Sequence, residues 1–124
     1  MGDPLVDFVD QVCVQTAVLW KNPLPDRFGE YEFDDAIEIY CRWDGKQQQI
    51  VDENGDEIVS VAEILLHSQA STQVGEYIML GVLEDLETNQ INDPLSVSNA
   101  YRIKNIQSTP LFQSTDQFIQ VAYI

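Results

Sequence analysis

Any chemistry in this chain has to come from one histidine, two cysteines and 21 carboxylates. Nucleophilic catalysis needs a Ser or Cys activated by a base, and His67 is the sole imidazole. It follows Leu65 and Leu66 with no evident partner in the neighbouring sequence, so it reads as a structural histidine. Cys13 and Cys41 lack the close spacing of a metal knuckle or a redox motif. Both lie in apolar, strand-like surroundings, where Cys behaves as a small buried hydrophobe. Pairing of their strands would bring the two thiols close together. Carboxylate pairs are unavoidable among 21 acids and specify nothing. No Gly-rich phosphate loop is present. These residue types lead us to expect no catalytic residue and no cofactor.

One spacing does resemble a metal site. Asp52, Asn54, Asp56, Ser60 and Glu63 fall at positions one, three, five, nine and twelve of a calcium-binding EF-hand loop. Ile58 stands at position seven, where a main-chain carbonyl suffices. Position six requires Gly for a sharp turn, and the chain has Glu57 there. An EF-hand also needs a helix on each side. Upstream, Asp44-Gly45 and the Gln run make a poor helix, and downstream the β-branched Ile58, Val59, Val61 and Ile64 favour a strand. Asn54-Gly55 between two β-prone runs is instead a hairpin signal, because a type I′ turn needs positive φ at both central residues. The segment is therefore expected to be an acidic hairpin turn, with a calcium module through Asp52, Asn54, Asp56 and Glu63 as the alternative from a different functional class.

The elements around these residues read mainly as strands. Ala36 to Trp43 alternates, with Ile37, Ile39, Cys41 and Trp43 on a core face and Glu38, Tyr40 and Arg42 on a wetter one. Cys13 to Trp20 places Val14, Thr16, Val18 and Trp20 on one side. Between them, Lys21 to Asp35 holds two prolines and Gly29 and reads as a long loop, with Phe28, Tyr31 and Phe33 anchoring it on its own core or meeting a partner. Further strands are expected in Gln47 to Val51, Glu57 to Leu66, Tyr77 to Gly81, Ala100 to Ile106 (Tyr101 and Ile103 on one face) and Gln117 to Ile124. Leu83 to Ile91 reads as one or two helical turns ended by Asn92-Asp93-Pro94, and Ser108-Thr109-Pro110 as a break. Pro4 to Val12 reads as a short amphipathic helix packed on the sheet. The sum is one mainly β domain over residues 1–124, a small barrel or sandwich of about six or seven strands.

Composition narrows the function classes. With 44% apolar residues and 124 in all, the chain can build a core without staples. No run of about 18 apolar residues exists for a membrane span, and the start Met1-Gly2-Asp3-Pro4 lacks the features of a signal peptide or a myristoylation site. Synthesis in the cytoplasm is expected, without a membrane partner. Six basic residues against 21 acidic ones give a net charge of −15. Gripping a phosphate backbone requires Lys and Arg to release counterions, so a conventional DNA-binding role is not expected. The charge serves solubility, or a surface that repels a polyanion or meets a basic partner.

Cys41-Arg42-Trp43, the following Gln-rich stretch, and Val51-Asp52-Glu53-Asn54-Gly55-Asp56-Glu57-Ile58-Val59-Ser60 together resemble a recurring block in small neck proteins of tailed bacteriophages. The likeness continues at Val74 to Gly81, Asp93-Pro94-Leu95, Ala100 to Ile103, Ser108-Thr109-Pro110 and Gln120 to Ile124. Each motif is ordinary strand and turn chemistry, so order and spacing carry the match. This resemblance to head-closure, or head–tail joining, proteins implies a small β-barrel that forms a ring below the portal, closes the DNA-filled head and docks the tail. It implies a place in the virion neck after synthesis in the bacterial host cytoplasm. Its partners would be further copies of itself, a portal or adaptor ring and a tail protein, with DNA passing through the channel without specific binding. A tail terminator or another β-rich ring protein of the tail is the neighbouring alternative. Phe28, Tyr31 and Phe33 of the long loop, and Asp44, Asp52, Asn54, Asp56 and Glu57 of the hairpin region, are the expected contact or channel-lining residues.

Overall fold

Alternation over residues 37–44 sets the plan of the molecule. In β4 (Ile37–Asp44), Ile39 and Cys41 are buried, Glu38, Tyr40 and Arg42 are exposed and Trp43 is half-buried. Ile37, expected on the core face, sits at the strand's entry and remains exposed. The computed structural model describes residues 10–25, 28–51, 54–67, 70–110 and 118–124. No helix among the described residues is long and apolar enough to cross a membrane. The fold is mainly β, a curled seven-strand antiparallel sheet that forms a half-barrel.

The sheet contains β1 (Gln15–Trp20), β4, β7 (Glu63–Leu66), β8 (Tyr77–Leu80), β9 (Tyr101–Arg102), β10 (Asn105–Pro110) and β11 (Phe118–Tyr123). Their spatial order is β10-β11-β7-β4-β1-β8-β9. Two ribbons stand outside it: β2 (Leu24–Pro25) with β3 (Tyr31–Glu32), and β5 (Gln48–Val51) with β6 (Glu57–Ser60). The concave face carries the main core, in which Ala17, Leu19, Ile39, Cys41, Ile64 and Ile78 pack together with Ile103 and Ile124. A second core lies on the convex face, where Val18, Trp20 and Met79 meet Ala36, Val97 and the half-buried Phe33, Tyr77, Leu83 and Leu86.

β1 therefore departs from its expected one-sided pattern. All four residues from Ala17 to Trp20 are buried, while Val14, expected on the core face, is 72% exposed. The reason is position. β1 lies between β4 and β8, and its second face is covered by the segment that follows β8. That segment holds 3-10 turns at Leu83–Asp85, Thr88–Gln90 and Pro94–Ser96, so the helical turns expected over 83–91 are present and a third follows Asn92-Asp93. Its seat on the sheet is fixed by polar bonds: Trp20 Nε1 donates to Gln90 O at 3.0 Å, Ala36 N to Ile91 O at 2.7 Å, and Leu83 N to Glu38 Oε1 at 3.0 Å.

Three other expectations change. The run from Glu57 to Leu66 splits at Val61-Ala62, because those two residues bond the chain's last residue instead: Val61 N donates to Ile124 O at 2.7 Å and Ile124 N to Ala62 O at 3.3 Å. Ser108-Thr109-Pro110 does not break the chain; it belongs to edge strand β10, where a proline without an N–H is tolerated. Ala100 to Ile106 is not one strand. β9 pairs with β8 at one edge of the sheet, and β10 pairs with β11 at the other, although only Ile103 and Lys104 separate them. Ile103 N donates to Glu76 O at 2.8 Å, and Lys104 N donates to Tyr123 O at 2.8 Å. Tyr101 is exposed and Ile103 is fully buried, so the shared face expected for them is lost at this crossing. Of the N-terminal helix expected over Pro4 to Val12, Asp10 to Val12 are helical and residues 4–9 lie outside the described residues.

Candidate docking surface

The segment Lys21 to Asp35 is not wholly loop, because β2 and β3 form a short ribbon inside it, with pairs Leu24–Glu32 and Pro25–Tyr31. Gly29 at its turn has φ +82°, a left-handed conformation that costs glycine nothing. The ribbon leaves β1 at Asn22, which also holds a left-handed conformation, φ 57°. Asn tolerates this better than most residues. A buried carboxylate holds it there. Glu76 is 1% exposed; its Oε2 accepts from Asn22 N at 3.1 Å, and its Oε1 accepts from Thr72 Oγ1 at 2.8 Å and from Gln73 N at 3.0 Å. Phe33 then seats the far arm of the ribbon, meeting Tyr77 edge-on at a centroid distance of 5.5 Å.

Of the three loop aromatics, the structure thus makes Phe33 an anchor and leaves the other two outside. Phe28 is 76% exposed and Tyr31 56%. Leu24 (66%) and Leu95 (63%) add to the uncovered apolar surface. Between the ribbon and the turn at Pro94–Ser96 runs an open groove of 840 Å³, one wall made by residues 29–33 and the other by Asn92, Asp93, Leu95 and Ser96. A smaller cavity of 340 Å³ shares Tyr31, Phe33 and Leu95 and reaches Tyr77 and Arg102. Glu30, Glu32 and Asp93 give the groove an acidic lining. Leu95 had no periodicity to mark it in the sequence, and Glu76 reads there as one more surface acid.

The hairpin residues are distributed differently. Asn54, Asp56 and Glu57 are exposed at the end of the β5–β6 ribbon, with Gly55 at φ +84°, and Asp52 lies outside the described residues. Strands flank this turn on both sides, in the register Ile50–Ile58 and Val51–Glu57, where an EF-hand would need helices. Glu63 belongs to β7, opposite the exposed Asp44, and lies 3.3 Å from the Tyr123 hydroxyl. Burial and Glu63 together push the Tyr123 phenol upward. Among the described residues, no group of three or more His, Cys, Asp or Glu could hold a metal ion. Val51, Val59 and Val61 are exposed on and beside this ribbon. Lys104 Nζ donates to Val59 O at 3.2 Å, and Asn105 Nδ2 donates to Val51 O, tying it to the sheet.

The sulfur and imidazole groups gather near β7. His67 Nε2 lies 3.4 Å from Asp10 Oδ1, a partner that sequence proximity could not reveal. Both cysteines are buried free thiols. Burial, then the Asp10 carboxylate, push the Cys13 thiol up, and burial with the nearby Cys13 pushes Cys41 up to about 12. A thiol in this state is held protonated, the reverse of an activated nucleophile. No protein-family model, curated protein or solved structure matches the chain.

Proposed function

We propose that the chain is a structural protein of the phage neck, without catalytic activity, that assembles into a ring, closes the filled head and docks the tail. The observation that carries this reading is the ordered set of blocks from Cys41-Arg42-Trp43 to Gln120–Ile124, resembling head-closure proteins. The architecture is compatible with it. A stiff curled sheet bears two projecting ribbons, and much of the exposed apolar surface sits on or beside them: Leu24, Phe28, Tyr31 and Leu95 at one, Val51, Val59 and Val61 at the other. A cyclic ring needs two different sticky faces per subunit, because its contacts are heterologous. The charge of −15, multiplied around a ring, would repel DNA from a channel wall rather than grip it.

The test replaces residues 24–32 by a short Gly-Ser linker, which keeps the Phe33 anchor. The variant subunit is expected to fold and to leave filled heads that do not join tails in an in vitro joining assay. Normal joining would remove the β2–β3 ribbon from the interface, and ring-free particles with normal joining of tails would end the neck assignment.

A further inference from the structure

We infer that the groove between β3 and the turn at Pro94–Ser96 takes an extended peptide segment of a partner protein, added as a strand to β3 and carrying an apolar anchor flanked by Lys or Arg. The inference rests on the reading of the 21–35 ribbon as a contact surface and names what that surface takes.

Main-chain geometry comes first. An antiparallel hydrogen-bonded pair exchanges two N–H···O bonds, and Pro25, opposite Tyr31, has no N–H to give. The bonds between β2 and β3 therefore run through Leu24 and Glu32, and the Tyr31 main-chain groups face the other edge. The groove wall agrees. Residues 29–33 line it, with β3 (Tyr31–Glu32) at the middle of the wall and the Gly29 turn at one end. The outer edge of β10 offers a contrast: Asn105 Oδ1 already accepts the Ile106 N–H at 2.7 Å, and Pro110 has none. Strand addition is blunted there and open at β3.

Side chains then select the occupant. The adjoining 340 Å³ cavity, bounded by Phe33, Tyr77 and Leu95, suits one large apolar side chain. Glu30, Glu32 and Asp93 around the groove favour cationic neighbours on the incoming strand. A second copy of this chain is a poor occupant of the groove, because the one apolar residue it carries between two basic residues, Ile103 between Arg102 and Lys104, is fully buried.

A displayed library of random twelve-residue peptides, panned against the full chain, tests the proposal. Enriched sequences are expected to place an apolar residue between alternate Lys or Arg residues. Binding should fall about tenfold or more for Leu95→Arg and for peptides N-methylated at alternate main-chain nitrogens, and stay unchanged for Val59→Arg on the other ribbon. No enrichment, enriched peptides without basic residues, full binding by Leu95→Arg, or tolerance of N-methylation would each overturn it. So would self-association in sedimentation that Leu95→Arg abolishes, which would make a second copy the occupant. Loss of peptides by Leu95→Arg with normal head–tail joining would uphold the groove and count against the neck role instead.

Discussion

The two ribbons outside the main sheet are built alike and held differently. β2–β3 is seated from within: Phe33 enters the convex core, and the buried Glu76 carboxylate bonds Asn22 at the ribbon's root. β5–β6 is held mainly at its surface, by Lys104 and Asn105 side chains reaching its peptide carbonyls, with only Ser60 at its base fully buried. Attachment through burial couples a ribbon to the stability of the whole domain. Attachment through solvent-facing hydrogen bonds, each contributing about 1 kcal/mol, lets a ribbon open by itself. The first arrangement holds the two walls of the groove at one spacing, and the second leaves its ribbon freer to move.

Removing the internal seat should produce the largest effect. Glu76→Ala leaves the Asn22 and Gln73 N–H groups and the Thr72 hydroxyl without their acceptor, at about 1–3 kcal/mol for each group left buried. A loss of about 3 kcal/mol or more is expected in urea unfolding, together with hydrogen-exchange protection lost over residues 21–24. A global loss below about 1 kcal/mol would show that the root of this ribbon is held by Phe33 alone. A smaller effect is expected at the other ribbon. Lys104→Ala with Asn105→Ala should cost about 1–2 kcal/mol at most and expose the amides of 48–60 to exchange, leaving those of 28–33 unchanged. Equal loss of protection in both ribbons would erase the distinction between them.

A third effect lies in the shared core, is confined to alkaline pH and serves as the reference for both. The folded Cys41 thiol is raised from 9.0 to about 12, so the unfolded thiol ionises first as pH rises. Its contribution is complete below about pH 9 and is lost progressively toward 12. Wild type should lose stability faster than Cys41→Ala across that window, with the exchange of neither ribbon altered. Parallel pH profiles for the two proteins would show that Cys41 is no more protected folded than unfolded.

Legibility in the sequence followed the range of the forces involved. β4 and the existence of the acidic hairpin could be read because alternation and turn chemistry act over a few neighbouring residues. The register Val51–Glu57, however, centres the turn on Asn54 and leaves an odd number of residues, not the two-residue type I′ turn expected for Asn54-Gly55. β1 could not be read as buried on both faces, since Ala17-Val18-Leu19-Trp20 looks the same whether one face or two is covered; only the later 82–97 segment decides. The β2–β3 ribbon is too short to show a period. Glu76 looks like a surface acid because the donors that hold it come from Thr72 and Gln73 nearby and from Asn22, 54 residues away. His67 found its partner across the fold at Asp10, and Leu95 gained a role only when Pro94–Ser96 came to rest opposite β3.

The crossing at Ile103 and Lys104 has a mechanical consequence. A curled sheet with two loose ends can flatten under load. Here consecutive residues bond near both ends, Ile103 to Glu76 beside β8 and Lys104 to Tyr123 of β11, so the covalent chain works as a clasp between the two sides of the half-barrel. Consecutive Cα atoms lie 3.8 Å apart, which leaves almost no slack. Flattening the half-barrel would have to stretch or break this link, whereas the two ribbons stand outside it.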